Sequence, residues 1–115
     1  MRTRLKRLLA SPSDVVFVAE SAAGELAGWI HGVLSQYLES DFRVEIGGLV
    51  VDEQFQRRGV GRDLVARVES WAVEHEAQLA SVRCRTTRAA AHRFYKSLGY
   101  RKAKTQIVFR KPLTK

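Results

Sequence analysis

This 115-residue sequence predicts an α+β fold, a mostly antiparallel mixed sheet flanked by helices. Three observations carry that reading. Apolar, β-branched runs recur with turn residues between them, and two segments place apolar residues at helical spacing. Between one such run and the first helical segment lies a basic, glycine-punctuated turn, Gln56-Arg57-Arg58-Gly59-Val60-Gly61-Arg62. Strands and helices mixed in this way give an α+β domain, with residues 1–115 read as one unit around one core.

Taken in order, Met1 to Leu9 holds four basic residues without the unbroken apolar stretch of a secretory signal. Its arginine-rich, acid-free character is shared with organelle transit peptides, but the preferred reading is an amphipathic helix burying Leu5, Leu8 and Leu9 and ending near Ser11-Pro12. Val15 to Glu20 is an apolar strand and Ser21 to Gly24 a turn. Glu25 to Ser35 and Arg43 to Val51 form a long antiparallel pair joined by the polar stretch Gln36 to Asp41. From Arg62 to Glu76, Leu64, Val65, Val68, Trp71 and Ala72 make an apolar stripe, while Arg67, Glu69, Glu74 and Glu76 point outward. Gln78 to Arg85 is a further strand. Arg88 to Leu98 is a second helix with Ala91, Phe94 and Leu98 on one face and Gly99 just past its end. Tyr100 to Lys104 and Thr105 to Arg110 complete the sheet as a closing pair.

The turn carries the chemistry. Backbone N–H groups at a helix start face outward where the helix dipole favours an anion. Gly59 and Gly61, lacking Cβ, can take positive φ and let a phosphate approach the main chain. Arg57, Arg58 and Arg62 add charge. A P-loop is excluded, since Arg62-Asp63 stands where lysine and a hydroxyl residue belong, and a dinucleotide fingerprint is excluded because Leu64 occupies the place of its third glycine.

Composition sets the limits. A 45% share of hydrophobic residues suffices for one globular core. No apolar run is long enough for a membrane span. The single cysteine, Cys84, cannot form an internal disulfide, which suits a reducing, cytoplasmic setting. Its neighbours Arg83 and Arg85 could activate it, but a strand cysteine is more often a small buried hydrophobe. The net charge of +8 has two explanations, a solvated basic surface that includes Lys102, Lys104 and Lys111, or a set of phosphate partners. A nucleic-acid partner is not expected, because interleaved aromatics and recognition motifs are missing from the sequence. His31, His75 and His92 lack metal-ligand spacing.

Three segments together resemble the GNAT superfamily of acyl-coenzyme A-dependent N-acetyltransferases: the strand Glu45-Ile46-Gly47-Gly48-Leu49-Val50-Val51-Asp52, the turn Gln56 to Gly61 matching Q/R-x-x-G-x-G/A, and Ala91-His92-Arg93-Phe94-Tyr95-Lys96-Ser97-Leu98-Gly99-Tyr100. The likeness runs from about Val15 to Lys111. It implies a sheet in which two central strands splay apart around the pantetheine arm of acetyl-CoA. Leu49, Val50 and Val51 would then act through main-chain atoms, one N–H polarising the thioester carbonyl. Gln56 to Arg62, with Arg88 and Ala91, would hold the cofactor, and Arg93 is a further cation for its phosphates. Tyr95 takes the position of the general acid, a phenol returning a proton to the departing thiolate. Glu45 corresponds to the catalytic glutamate of the histone-acetylating branch, with ordered water as the alternative base.

The resemblance also shows a departure at the front. A further strand and helix usually precede the segment equivalent to Met1 to Ala10, and they wall the acceptor site. Their loss implies an acceptor half that is open, supplied by a partner, or gone, and a homodimer that protects exposed sheet edges is the expectation. The acceptor would be a small amine, an aminoglycoside-like antibiotic or a protein amino group. The Glu39-Ser40-Asp41 cluster could favour a polycation or simply be a solvated turn. A non-catalytic acyl-CoA-binding or interaction module is the alternative.

Overall fold

The computed structural model describes residues 3–36, 42–83, 89–103 and 107–113. It divides into two compact units, Met1–Arg85 and Thr86–Lys115. The first holds strands β1 (Thr3–Ala10), β2 (Asp14–Ser21), β3 (Leu26–Ser35) and β4 (Arg43–Val51), helix α1 (Val60–Glu74) and strand β5 (Leu79–Val82). The second holds helix α2 (Ala89–Ser97).

The strands lie in chain order, β1-β2-β3-β4-β5. The first four pair antiparallel and β5 adds parallel to β4 after the crossover through α1. Alternation gives β2, β3 and β4 one buried face. Val15, Phe17, Ala19, Ile30, Val44 and Ile46 meet Leu64, Val65, Val68, Trp71 and Ala72 of α1, and all of these are buried. The helix crosses β3 over two glycines. A Cβ on Gly28 would stand 2.6 Å from the Val50 carbonyl oxygen, and one on Gly32 would stand 2.9 Å from Val68. At its end, His75 Nδ1 lies 2.8 Å from the Trp71 carbonyl oxygen and its ring stacks at 4.6 Å on that of Trp71.

The β2 to β5 and α1 expectations match these elements to within a few residues. The N-terminal segment does not: Thr3–Ala10 is a strand, paired with β2 through a turn in which Ser11 Oγ accepts from the N–H groups of Ser13 and Asp14. Leu8 is exposed rather than buried, and the Leu9 side chain lies outside the described part. A helix of nine residues is marginal on its own, whereas a strand here satisfies the open edge of β2. The closing strand pair is also absent among the described residues. Tyr100–Ala103 and Ile107–Leu113 are not in strands, and Lys104 and Thr105 lie outside the described residues. Ile107, Val108 and Phe109 are exposed; β propensity marks a segment fit for a sheet but does not supply its hydrogen-bonding partner.

In α2 the expected stop is met. Gly99 takes φ 94°, its N–H donates to the Lys96 carbonyl, and the Tyr100 N–H donates to the Tyr95 carbonyl, a Schellman closure.

Candidate active site

The site begins where β4 outruns its neighbour. Pairing with β5 ends at Ile46 opposite Val82, whereas β4 continues to Val51. On its other side β4 stays paired with β3 to the end, and the Asp52 N–H donates to the Ala27 carbonyl at 2.8 Å. Alternation from that bond turns the polar groups of Gly48 and Val50 toward β3 and those of Leu49 and Val51 toward the side that β5 has left. The Gln56 side-chain amide confirms the direction, donating to the Val51 carbonyl at 3.4 Å. The Leu49 N–H therefore faces a stretch that no strand pairs among the described residues.

The phosphate-type turn follows directly. Asp52 starts a 3-10 turn over Glu53–Phe55, its carboxylate accepting from the Gln54 N–H. Phe55 and Val60 are buried anchors, and Gln56, Arg57, Arg58 and Gly59 between them are exposed. The chain bends through two left-handed residues, Arg57 at φ 64° and Gly59 at φ 79°. Gly61 instead lies inside the helix without a positive φ, so of the two glycines only Gly59 uses that freedom. Apart from its own chain neighbours, no atom of the described residues stands within 4 Å of where a Cβ on Gly59 would be, which leaves the main chain open on that side. The first bond into the helix is Asp63 N–H to the Gly59 carbonyl, so the N–H groups of Val60, Gly61 and Arg62 precede the intrahelical ladder. The Arg58 guanidinium sits 5.9 Å over the Phe55 ring, and Arg62 is exposed on the first turn. These donors and three guanidinium groups fit a pyrophosphate.

On the sheet face opposite α1, Glu45 is half-buried across from Val33 and beside Ser81. Trp29 and His31 share that face. His31 Nε2 lies 3.0 Å from Asp14 Oδ2, and the bond to His31, then that to Ser13, holds the Asp14 carboxyl below the usual carboxylate range. The Asp14–His31 pair escaped the sequence reading, although the turn at Ser21 to Gly24 fixes the register that brings those strands together.

The second unit carries Tyr95, half-buried, its ring edge-on to Phe94 at 5.0 Å and to Tyr100 at 5.5 Å. Ala91 is half-buried one turn earlier, and Arg93 is exposed. Arg88, Cys84 and the Glu39 to Asp41 cluster lie outside the described residues. Among the described residues no group of His, Cys, Asp or Glu could hold a metal ion, and no helix is long and apolar enough to cross a membrane.

The Acetyltransferase (GNAT) family pattern matches residues 1–100. The aminoglycoside N(6')-acetyltransferase type 1 of Stenotrophomonas maltophilia is 29% identical over 113 residues, covering 95% of this chain and 74% of that protein. The N-acetylaspartate synthetase of Danio rerio is 31% identical over 78 residues, 67% of this chain but 28% of that protein. Among solved structures, AAC(6')-Iy in complex with a CoA-S-monomethyl-acetylneamine bisubstrate analogue superposes with a TM-score of 0.82 at 21% identity, covering 89% of this chain and 71% of that one.

Proposed function

The chain belongs to the GNAT family and is an acetyl-CoA-dependent N-acetyltransferase, and from that premise we propose that its acceptor is a primary amine of an aminoglycoside-like sugar. The observation that carries the reading is the junction of the β4 end, which runs beyond its pairing with β5, with an exposed, arginine-rich turn at Gln56–Arg62. The likeness of 95% of the chain to an aminoglycoside N(6')-acetyltransferase supports the choice of acceptor.

When bound, acetyl-CoA supplies an acetyl thioester, whose carbonyl carbon accepts the amine and whose thiolate leaves. The N–H groups of Val60, Gly61 and Arg62, with Arg57 and Arg58, bind the pyrophosphate, and Gly59 keeps the approach clear. Leu49, Val50 and Val51 present main-chain groups along the pantetheine, and the Leu49 N–H donates to the carbonyl oxygen. Ala91 would add a cofactor contact, and Arg88, which lies outside the described residues, is a further cation that the family resemblance implies for it. Tyr95 Oη gives the leaving sulfur its proton; a phenol near ~10 and a thiol near ~8.5 are close enough for that transfer. Glu45 takes a proton from the incoming ammonium, directly or through water.

Both units are proposed to act as one acetyltransferase domain in the cytoplasm. The protein is further proposed to act as a homodimer, which a monomeric mass at micromolar concentration would contradict. The test of function is acetyl-CoA-dependent thiol release over a panel of amines. Release with an aminoglycoside, reduced about 10²-fold or more in Tyr95→Phe, is the expected result. Cofactor binding without turnover of any amine would point to a non-catalytic acyl-CoA-binding module.

A further inference from the structure

The face of β3 that turns away from α1 carries a histidine with the geometry of an oriented base. Asp14 on β2 is acceptor-only when ionised, so His31 Nε2 must carry the proton in the 3.0 Å bond between them. That leaves the lone pair on Nδ1. The Asp14 carboxyl is held below its usual range first by this bond, which keeps it ionised and the tautomer fixed. Nδ1 in turn points at β4. The register of β3 against β4 slips between His31 and Gly32, leaving Gly47 as the extra residue of a β-bulge. Nδ1 lies 3.2 Å from where a Cβ on Gly47 would be, and the Trp29 ring lies 3.0 Å from the equivalent point on Gly48. The imidazole thus occupies the space that a side chain at position 47 would fill, two residues before the Leu49 N–H. Both side chains are about a third exposed, 35% for His31 and 37% for Asp14, so the pair is not sealed in the core.

An ammonium acceptor sheds two protons on its way to an amide. One must make good the proton that Tyr95 gives to the sulfur and the other leaves to solvent, so the ammonium needs a proton-accepting group beside it before it can attack. Resting on the acetyltransferase reading above, we infer that His31 is a proton-accepting residue of the transfer, taking the ammonium's proton at Nδ1 beside or in place of Glu45, with Asp14 as its positioning residue. The other charged groups that the neighbouring strands bring to this face are Glu45 and Arg43 of β4 and Glu20 of β2, the last paired with Lys6 of β1 at 3.2 Å.

The test combines His31→Gln, Asp14→Asn and Gly47→Ala with NMR of the wild-type imidazole. His31→Gln should lower kcat about 10²-fold, change the acid limb of the kcat/KM profile and leave acetyl-CoA affinity within twofold. Gly47→Ala, which sets a methyl against Nδ1 with the ring still present, should reproduce the loss. Asp14→Asn should give a smaller loss together with a mixed tautomer. In the wild-type protein with the imidazole neutral, nitrogen shifts should show Nε2 protonated and Nδ1 bare. A His31→Gln enzyme within threefold of wild type that keeps its acid limb, or an Nδ1–H tautomer, overturns the inference while leaving the transferase intact. A wild-type protein inert toward every amine overturns the transferase reading, and this inference with it.

Discussion

Asp14 shows how one carboxylate ties the site to the stability of the sheet. Its folded pKa is depressed by the bond to His31, so it stabilises the protein above the ordinary carboxylate value, and that contribution is lost as pH falls through the folded value. Asp14→Asn should therefore lower Tm at neutral pH and flatten its fall below about pH 4, read from melting curves over pH. If the pH dependence of Tm is unchanged, the bond is not formed in solution. At this scale the turn was legible: the arginines and glycines of Gln56 to Arg62 mark an exposed bend at the start of α1 by composition and spacing alone. The left-handed Arg57 was not, because nothing in an arginine's identity signals positive φ. Nor was the Asp14–His31 pair, which lies 17 residues apart and exists only through the strand register.

Among the elements, α1 fixes where the turn points. Its apolar stripe was visible in the sequence at helical spacing, and every residue of the stripe is buried. Leu64 is fully buried against the sheet where Gly28 admits it. Leu64→Ala should cost about 2–5 kcal/mol, measured as a shift of the urea midpoint at unchanged slope. A cost below about 1 kcal/mol would mean that the helix does not pack on β3 as described. The strands β2, β3 and β4 were equally readable, since each alternates between a helix-facing and an open side. Met1 to Leu9 misled because basic residues interleaved with leucines satisfy a helical and an extended pattern alike, and only the free edge of β2 decides between them. Ile107 to Phe109 misled for the complementary reason, a strand-like composition without a strand partner among the described residues.

For the whole molecule, a net charge of +8 is read best as partly functional, with three arginines gathered at one turn where coenzyme A would bring its phosphates. The fold class and family were legible because three short segments kept their order and spacing. The acceptor was not, because specificity resides in loops and in side chains that the register brings together from distant strands. The most direct measurement is a titration of the protein with acetyl-CoA and with coenzyme A, at two salt concentrations, beside the Arg57→Ala/Arg58→Ala variant. Saturable binding of both ligands is expected, weakened by salt and about tenfold or more by the double substitution. Failure of the wild-type protein to bind either ligand, or binding untouched by loss of both arginines, would contradict the assignment of the Gln56–Arg62 turn as the cofactor site.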